Sequence, residues 1–446
     1  MRHRARKQHL PQAAVEAVVT ALSNEGRGIA HVDSEIVFID GALPGERVTF
    51  RYTARRRGIA EGAVVELIER SPQRIEPRCP QFGVCGGCSL QHLAPQEQLR
   101  FKEDVLRGQF QRIGQVEPRE WLPPLEGASW GYRRRARLAV RWVAKKGGTL
   151  VGFRERHSAF VAAVDECAVL DPRVGTRLRE LGELIDGLSI KTQVPQIEVS
   201  MGDDQVALAF RNLAPFSAAD RERLIGFGQA HGFQIYQQPG NESTIERLWP
   251  AEAELTFRIP EFDVELAFLP TDFTQVNAGI NQRMVARALA LLEPGPQERV
   301  LDLFCGLGNF TLPLARRAGY VVGVEGEAGL VERARGNARR NGLDNVEFHV
   351  ANLAGEVEAL PWMRQSYDKI LLDPPRSGAM ELIPQIARLK APRIVYISCN
   401  PATLARDAGL LVHDHGYRIG AAGVMDMFPH TAHVESIAVF ERDPRR

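Results

Sequence analysis

Residues 299–309 read Arg-Val-Leu-Asp-Leu-Phe-Cys-Gly-Leu-Gly-Asn. A short apolar run ends at Phe304, and Gly306 and Gly308 follow it ahead of a helical pattern. Glycine at such a point allows a tight turn and lets the backbone come close to a ligand. A strand that leaves through such a turn into a helix opens a doubly wound sheet. The rhythm repeats downstream: YVVGVEG (320–326), VEFHVAN (346–352), KILLDPP (369–375) and RIVYISCN (393–400) are apolar runs that end in polar or small residues. Helical segments lie between them. From about residue 270 the chain is therefore expected to form a parallel sheet with helices on both faces. The tail GVMDMFPHTAHVESIAVFER (423–442) reads as a last turn and strand.

Ligands of such sheets bind outside the carboxyl ends of the strands, at the topological switch. Three further polar residues are expected there. Glu325 ends the second strand, where a carboxylate can accept both hydroxyls of a ribose. Asn352 follows the third, placed for an adenine edge, and Asp373 ends the fourth. Ordinary loops with acidic caps would supply one or two of these features, and the coincidence of four favours a ligand site. The turn lacks the third glycine of the dinucleotide fingerprint and has no lysine-serine pair for phosphates. S-adenosylmethionine, with a ribose and an adenine but no phosphate, fits it best.

Cys399 lies at the same carboxyl edge, between the strand RIVYIS and Asn400-Pro401. It can be read as a packed structural cysteine or as a nucleophile, since the thiolate is the attacking form. The convergence of the Gly-rich turn, the Asp373-Pro374-Pro375-Arg376 loop and the Ser-Cys-Asn-Pro loop favours the nucleophile. Carbon 5 of uracil is a poor nucleophile. A thiolate added at carbon 6 makes an enolate that can take a methyl group at carbon 5. A base must then remove the carbon 5 proton, and Glu435 is the candidate; from position alone it could equally be a solvated glutamate before a strand.

The remainder of the chain is of a different character. At 446 residues, about three domains are expected. With 44% hydrophobic and 25% charged residues the composition excludes collagenous and disordered classes. No run approaches the ~20 apolar residues of a membrane span. The leader MRHRARKQHLPQ is basic but lacks the apolar stretch of a signal peptide. The net charge of +1 hides a division: residues 1–160 carry 27 Lys and Arg against 17 Asp and Glu, and the rest carry 29 against 38. A basic part joined to an acidic part suggests a nucleic-acid partner. Residues 10–70 alternate apolar and polar positions in short runs with frequent glycine punctuation, and read as a small antiparallel β-barrel. Arg51, Arg55, Arg56 and Arg57 cluster at one of its turns. Arg133, Arg134, Arg135, Arg137, Arg141, Lys145 and Lys146 form a second basic stretch, with no acidic residue between 130 and 146. Each is either a solvated face or a grip on phosphates. Cys79, Cys85 and Cys88 form C-x5-C-x2-C, and Cys167 is the one other cysteine of the first two sections. Four thiolates suit zinc or a [4Fe–4S] cluster, and the spacing favours the cluster.

CPQFGVCGGCSLQH, GYRRRARL, FTQVNAGIN, DLFCGLGNFTLPLA, LLDPPRSGA, ISCNPATLARD and FPHTAHVESIAVF together resemble the RNA uracil-C5 methyltransferases, most of all the bacterial members that act on 23S ribosomal RNA. The resemblance covers nearly the whole chain. It implies an OB-like TRAM barrel (10–70), a central α+β iron–sulfur domain (71–92 and 125–265) and a Rossmann-like class I methyltransferase domain (93–124 and 266–446). It implies Cys79, Cys85, Cys88 and Cys167 as ligands of a [4Fe–4S] cluster. It implies Gln275, Phe304, Asn309, Glu325, Asn352 and Asp373 as S-adenosylmethionine contacts, Cys399 as nucleophile and Glu435 as base. The expected protein is a cytoplasmic, monomeric enzyme that methylates a uridine of 23S rRNA. Three alternatives stay open: a tRNA uracil-C5 methyltransferase, an amino-methylating enzyme and a non-enzymatic iron–sulfur RNA-binding redox sensor. Arg376 stands where amino-methylating enzymes carry an aromatic residue, and they have no need of Cys399.

Overall fold

The computed structural model describes residues 10, 13–56 and 59–443, the side chain of Arg56 excepted. Arg57, most of the basic leader and the Arg56 side chain therefore lie outside the described residues. The chain forms two compact units. The first runs to Lys102 and includes Arg154–Phe160 and Pro429–His433. The second holds Glu103–Phe153, Val161–Phe428 and the chain from Val434.

In the first unit, β1 (Val15–Leu22), β2 (Gly28–Val32), β3 (Glu35–Asp40), β4 (Arg47–Arg56) and β5 (Ile59–Glu69) close into a barrel of order β1-β2-β3-β5-β4. Alternate residues point inward: Val37 and Ile39 of β3, and Val48 and Phe50 of β4, are fully buried. The barrel is not wholly antiparallel as expected, because β3 and β5 run parallel. Five strands in a closed ring cannot all alternate in direction, so one parallel seam is forced. Glu46 is buried beside the barrel and accepts from the amides of Leu43 (2.8 Å) and Ser71 (3.3 Å) and from Arg74 Nε at 2.5 Å. Burial alone would raise its carboxyl. The Arg74 bond and the two amides outweigh that and hold it below the usual value.

The cysteine segment follows the barrel. Phe82 bridges Cys85 across a tight loop with Gly83 at φ +89°. The loop is braced by Arg154–Phe160: Gly86 N donates to Arg154 O (2.8 Å), Arg156 N to Val84 O (2.8 Å) and Arg156 Nη2 to Cys88 O (2.6 Å). Helix α1 (Pro95–Gln109) then leads from the first unit into the second, where it ends in a π-helical turn, Phe110–Gly114.

The second unit contains two larger sheets. After β6 (Glu120–Trp121), the strands β7 (Arg135–Val143), β8 (Gly148–Gly152), β9 (Gln196–Met201), β10 (Val206–Arg211), β11 (Phe233–Gln238) and β12 (Glu246–Trp249) form a sheet of order β12-β11-β10-β9-β7-β8, and α2 (Pro172–Gly175), α3 (Leu178–Asp186) and α4 (Ala218–His231) belong to this stretch. A hairpin of β13 (Leu255–Ile259) and β14 (Val264–Phe268) leads to α5 (Ala278–Leu292), which Asn277 caps by accepting from Ile280 N at 3.2 Å.

The alternation then begins: β15 (Arg299–Leu303), α6 (Thr311–Ala315), β16 (Tyr320–Glu325), α7 (Ala328–Arg340), β17 (Val346–Val350), β18 (Lys369–Leu372), α8 (Ile383–Ala387), β19 (Arg393–Ser398), α9 (Pro401–His413), β20 (Tyr417–Met425) and β21 (Glu435–Arg442). The sheet order is β17-β16-β15-β18-β19-β21-β20-β6. β15 to β19 are parallel, and β21 runs antiparallel between β19 and β20. The five runs read from the sequence are the five parallel strands. Their residues face two cores, Val300 and Val395 to one side and Leu301, Ile394 and Tyr396 to the other. Double-sided burial is why these strands read as continuous apolar runs. The order turns at the β15–β18 boundary, which is the topological switch. Among the described residues no helix is long and apolar enough to cross a membrane.

Candidate active site

The glycine-rich turn leaves β15 beside the switch. Phe304 has φ +64°, and Gly306 and Gly308 have φ +54° and +93°. The Glu325 carboxylate at the end of the neighbouring β16 accepts from Gly306 N (3.2 Å), Gly326 N (2.6 Å) and Glu327 N (3.1 Å), and so ties the two strand ends together. Asn309 exchanges two amide bonds with Asn281 of α5, at 2.9 and 3.0 Å. Its side chain therefore fixes α5 to the turn. Gln275 is half-buried two residues before the α5 cap. Asn352 is exposed just past β17, where its side chain accepts from Ala354 N at 3.1 Å.

Beneath the turn, Asp302 is fully buried. Thr311 Oγ1 donates to its Oδ2 at 2.5 Å, and Oδ1 has no partner among the described residues. Burial pushes its carboxyl up to about 7; the Thr311 bond opposes this and the Asp373 and Glu325 charges add to it. A buried carboxyl oxygen without a donor is costly unless it is protonated or paired. Asp302 stands within the motif with no role legible from the sequence, since only its burial sets it apart.

Cys399 is built by the end of β19. Ser398 Oγ accepts from Asn400 N (3.1 Å), Ser436 Oγ donates to Ser398 O (3.0 Å), and Asn400 caps α9 by accepting from Ala402 N (3.1 Å), with Pro401 in the first turn. The loop after Asp373 is clamped to it: Asn400 Nδ2 and Thr403 Oγ1 both donate to Arg376 O, at 3.0 and 3.4 Å. Gly378, at φ +78°, lets that loop pass: a Cβ there would lie 2.6 Å from Asp407 Oδ2.

Ser398 and Ser436 are partners across the antiparallel β19–β21 pair. Cys399 and Glu435 each lie one residue beyond that pair on the same side, so the direction of β21 brings them together. Glu435 is only 3% exposed, and so is not a solvated strand-start residue. Burial pushes its carboxyl well above the usual range, Asp373 pushes it further, and Arg376 opposes both. The half-buried Cys399 thiol is raised by burial and by the Glu435 and Asp373 charges, while the charge and hydrogen bond of Arg376 lower it. Asp373 itself is raised to about 7 by burial. Cys399, Glu435, Asp373 and Arg376 therefore form one electrostatic group. Arg376, which the sequence offered only as a residue that excludes amine methylation, is a cation of this group and opposes the rise of the Cys399 thiol.

Cys79, Cys85 and Cys88 are half-buried in the loop of the first unit, and Cys167 is half-buried in the second. Among the described residues no three His, Cys, Asp or Glu side chains are gathered as a ready metal site. The loop's donor set does fit a thiolate-bound cluster. It offers three sulfurs within ten residues, a Gly87 N–H that donates to Cys85 Sγ at 3.4 Å, and the buried, unpartnered ring of His92.

A doubly wound sheet with a glycine turn at its switch point, and a cysteine beside a buried glutamate at the same sheet edge, define the fold of an S-adenosylmethionine-type methyltransferase. Residues 254–443 match the tRNA (Uracil-5-)-methyltransferase family and residues 13–65 the TRAM domain. The chain is 61% identical over 439 residues to the 23S rRNA (uracil(1939)-C(5))-methyltransferase RlmD of Alkalilimnicola ehrlichii, covering 98% of this chain and 99% of that one. It is 53% identical to the RlmD of Methylococcus capsulatus, covering 99% and 100%. The Pyrococcus abyssi tRNA (uracil-54, C5)-methyltransferase, solved with S-adenosyl-L-homocysteine, superposes with a TM-score of 0.74 at 28% identity, covering 95% of this chain and 99% of that one. The chain belongs to the RNA uracil-C5 methyltransferase family that includes the RlmD enzymes.

Proposed function

We propose that this protein methylates carbon 5 of a uridine in 23S ribosomal RNA, the uracil 1939 type of site, through a covalent adduct on Cys399. The observation that best supports the route is the meeting of Cys399 with buried Glu435 beside Arg376. S-adenosylmethionine would supply the electrophilic methyl group, with Gln275, Phe304, Asn309, Glu325, Asn352 and Asp373 around it. Arg376 favours the thiolate, and the Cys399 sulfur adds to carbon 6 of a uracil turned out of its stack. After carbon 5 is methylated, Glu435 takes its proton and the sulfur leaves. Burial makes Glu435 a stronger base than an ordinary carboxylate. A tRNA substrate is the second reading, favoured by the likeness to the P. abyssi enzyme; identities above 50% to RlmD enzymes favour rRNA.

The same proposal gives residues 71–92 and 125–265 the central iron–sulfur domain, with residues 93–124 and 266–446 as the methyltransferase domain. It gives Cys79, Cys85, Cys88 and Cys167 the ligation of a [4Fe–4S] cluster in a monomeric, cytoplasmic protein. When bound, the cluster would hold the loop of Cys79, Cys85 and Cys88 through its thiolates. One experiment tests the reaction: incubation with labelled S-adenosylmethionine and unmodified 23S rRNA or tRNA, followed by mapping of the label. Label at one 23S uridine is expected. Label on tRNA alone selects the second reading, and RNA affinity that follows cluster oxidation, with no transfer, selects a redox sensor. Zinc without iron in anaerobically purified protein rejects the cluster.

A further inference from the structure

His92 is 1% exposed, and neither ring nitrogen has a hydrogen-bond partner among the described residues. Buried polar groups are nearly always paired, so an orphaned imidazole calls for an acceptor. Its surroundings include the cysteine loop on one side and the Arg74–Glu46 pair beside the barrel. The Phe82 ring, between Cys79 and Cys85, lies 5.1 Å from the His92 ring at a 37° tilt. The preceding side chain, Gln91, accepts from Cys79 N at 3.1 Å, and His92 O accepts from Ile75 N at 3.0 Å. Arg156, which donates to Cys88 O, stands over the same Phe82 ring at 5.6 Å. The ring thus packs against the loop while its polar atoms have no partner among the described residues. Burial and the charges of Arg74 and Arg156 keep it neutral. A neutral imidazole presents one N–H donor, and the sulfurs of a cluster are acceptors only.

We propose that His92 donates a hydrogen bond to a sulfur of the cluster held by Cys79, Cys85 and Cys88, as a positioning residue that sets the cluster's potential without ligating it. This rests on the cluster reading above. Hydrogen bonds to cluster sulfurs stabilise the reduced, more negative state and raise the potential. The test uses anaerobically purified full-length protein with His92→Leu and His92→Ala, which remove the donor, and His92→Gln, which keeps one. Iron and sulfide per chain, the midpoint potential by dye titration and the rate of bleaching in air are measured. The expected result is near-full iron in all variants. His92→Leu or His92→Ala, whichever folds, has a more negative potential and bleaches several-fold faster, and His92→Gln lies close to the unaltered protein. In chelator-treated protein, His92→Leu melts no lower than the unaltered chain, because it removes an orphan. Unchanged potential and bleaching in an iron-loaded donor-free variant overturn the inference and leave the cluster intact. Absence of iron from the unaltered protein overturns both.

Discussion

Burial and two carboxylates raise the Cys399 thiol, and Arg376 opposes that rise without reversing it. Cys399→Ala is expected to abolish methyl transfer while RNA affinity stays within about twofold, because the thiol grips no phosphate; retained transfer would sink the covalent route. Glu435→Gln keeps the shape but cannot take the carbon 5 proton, so it should accumulate a protein–RNA adduct visible as a shifted band on a denaturing gel. Turnover without that band would count against its role. Asp302 yields a pH prediction. Its carboxyl titrates near 7 when folded and near 3.8 when unfolded. Between those values the folded chain keeps a proton that the unfolded chain releases, so stability falls as pH rises through the window. The full cost, reached near pH 7, is on the order of 4 kcal/mol for a fully buried group. In ligand-free Asp302→Asn, urea unfolding should show a clearly smaller loss of stability between pH 5 and pH 8. An unchanged loss would mean that Asp302 is ionised in the empty site.

At the scale of elements, the parallel strands and the glycine turn were legible because each is a continuous run whose buried faces and special dihedrals are local properties. The β3–β5 seam was not, since it follows from closing an odd ring of strands. Glu435 was only weakly legible. Its place beside Cys399 depends on β21 running antiparallel to β19, a pairing between residues nearly forty positions apart. Asn309 illustrates a role that composition cannot reveal, because its amide is engaged by Asn281 on another helix. The π-helical turn after α1 depends on a similar long-range fit. A Cβ on Gly114 would lie 2.5 Å from Ala405 O in α9. Gly114→Ala should therefore force the turn off α9 and cost about 1–3 kcal/mol, read as a lower melting temperature. A melt within a degree of the unaltered chain would show that the turn yields freely.

At the scale of the whole molecule, the charge division read from the sequence needs correction before it predicts binding. Three of the seven cations in the basic stretch after residue 130 are paired with acids in the fold. Arg134 lies 2.7 Å from Asp203, Arg137 lies 2.6 Å from Glu198, and Arg135 lies 3.9 Å from the same Glu198. Those acids belong to the acidic part of the sequence, so part of the +10 and −9 cancels internally. In the barrel, Arg55 is likewise paired with Glu35 at 2.9 Å. Arg141 near the end of β7, and Lys145 and Lys146 in the turn to β8, are exposed and have no acidic partner among the described residues. Phosphate contacts by unpaired cations release counterions, and each lowers the slope of log affinity against log salt by about 0.7 for single strands. The triple change Arg141→Gln, Lys145→Gln, Lys146→Gln should make that slope shallower by about 2, with binding weakened most at low salt. Arg134→Gln with Arg137→Gln should leave the slope nearly unchanged and lower stability instead, because it takes from Asp203 and Glu198 their nearest cations. Filter binding of a 23S fragment from 50 to 300 mM salt separates the two. Equal slopes for the triple variant and the unaltered protein would remove this hairpin from the RNA-binding surface, and a large change in the double variant would mean that RNA displaces the internal pairs.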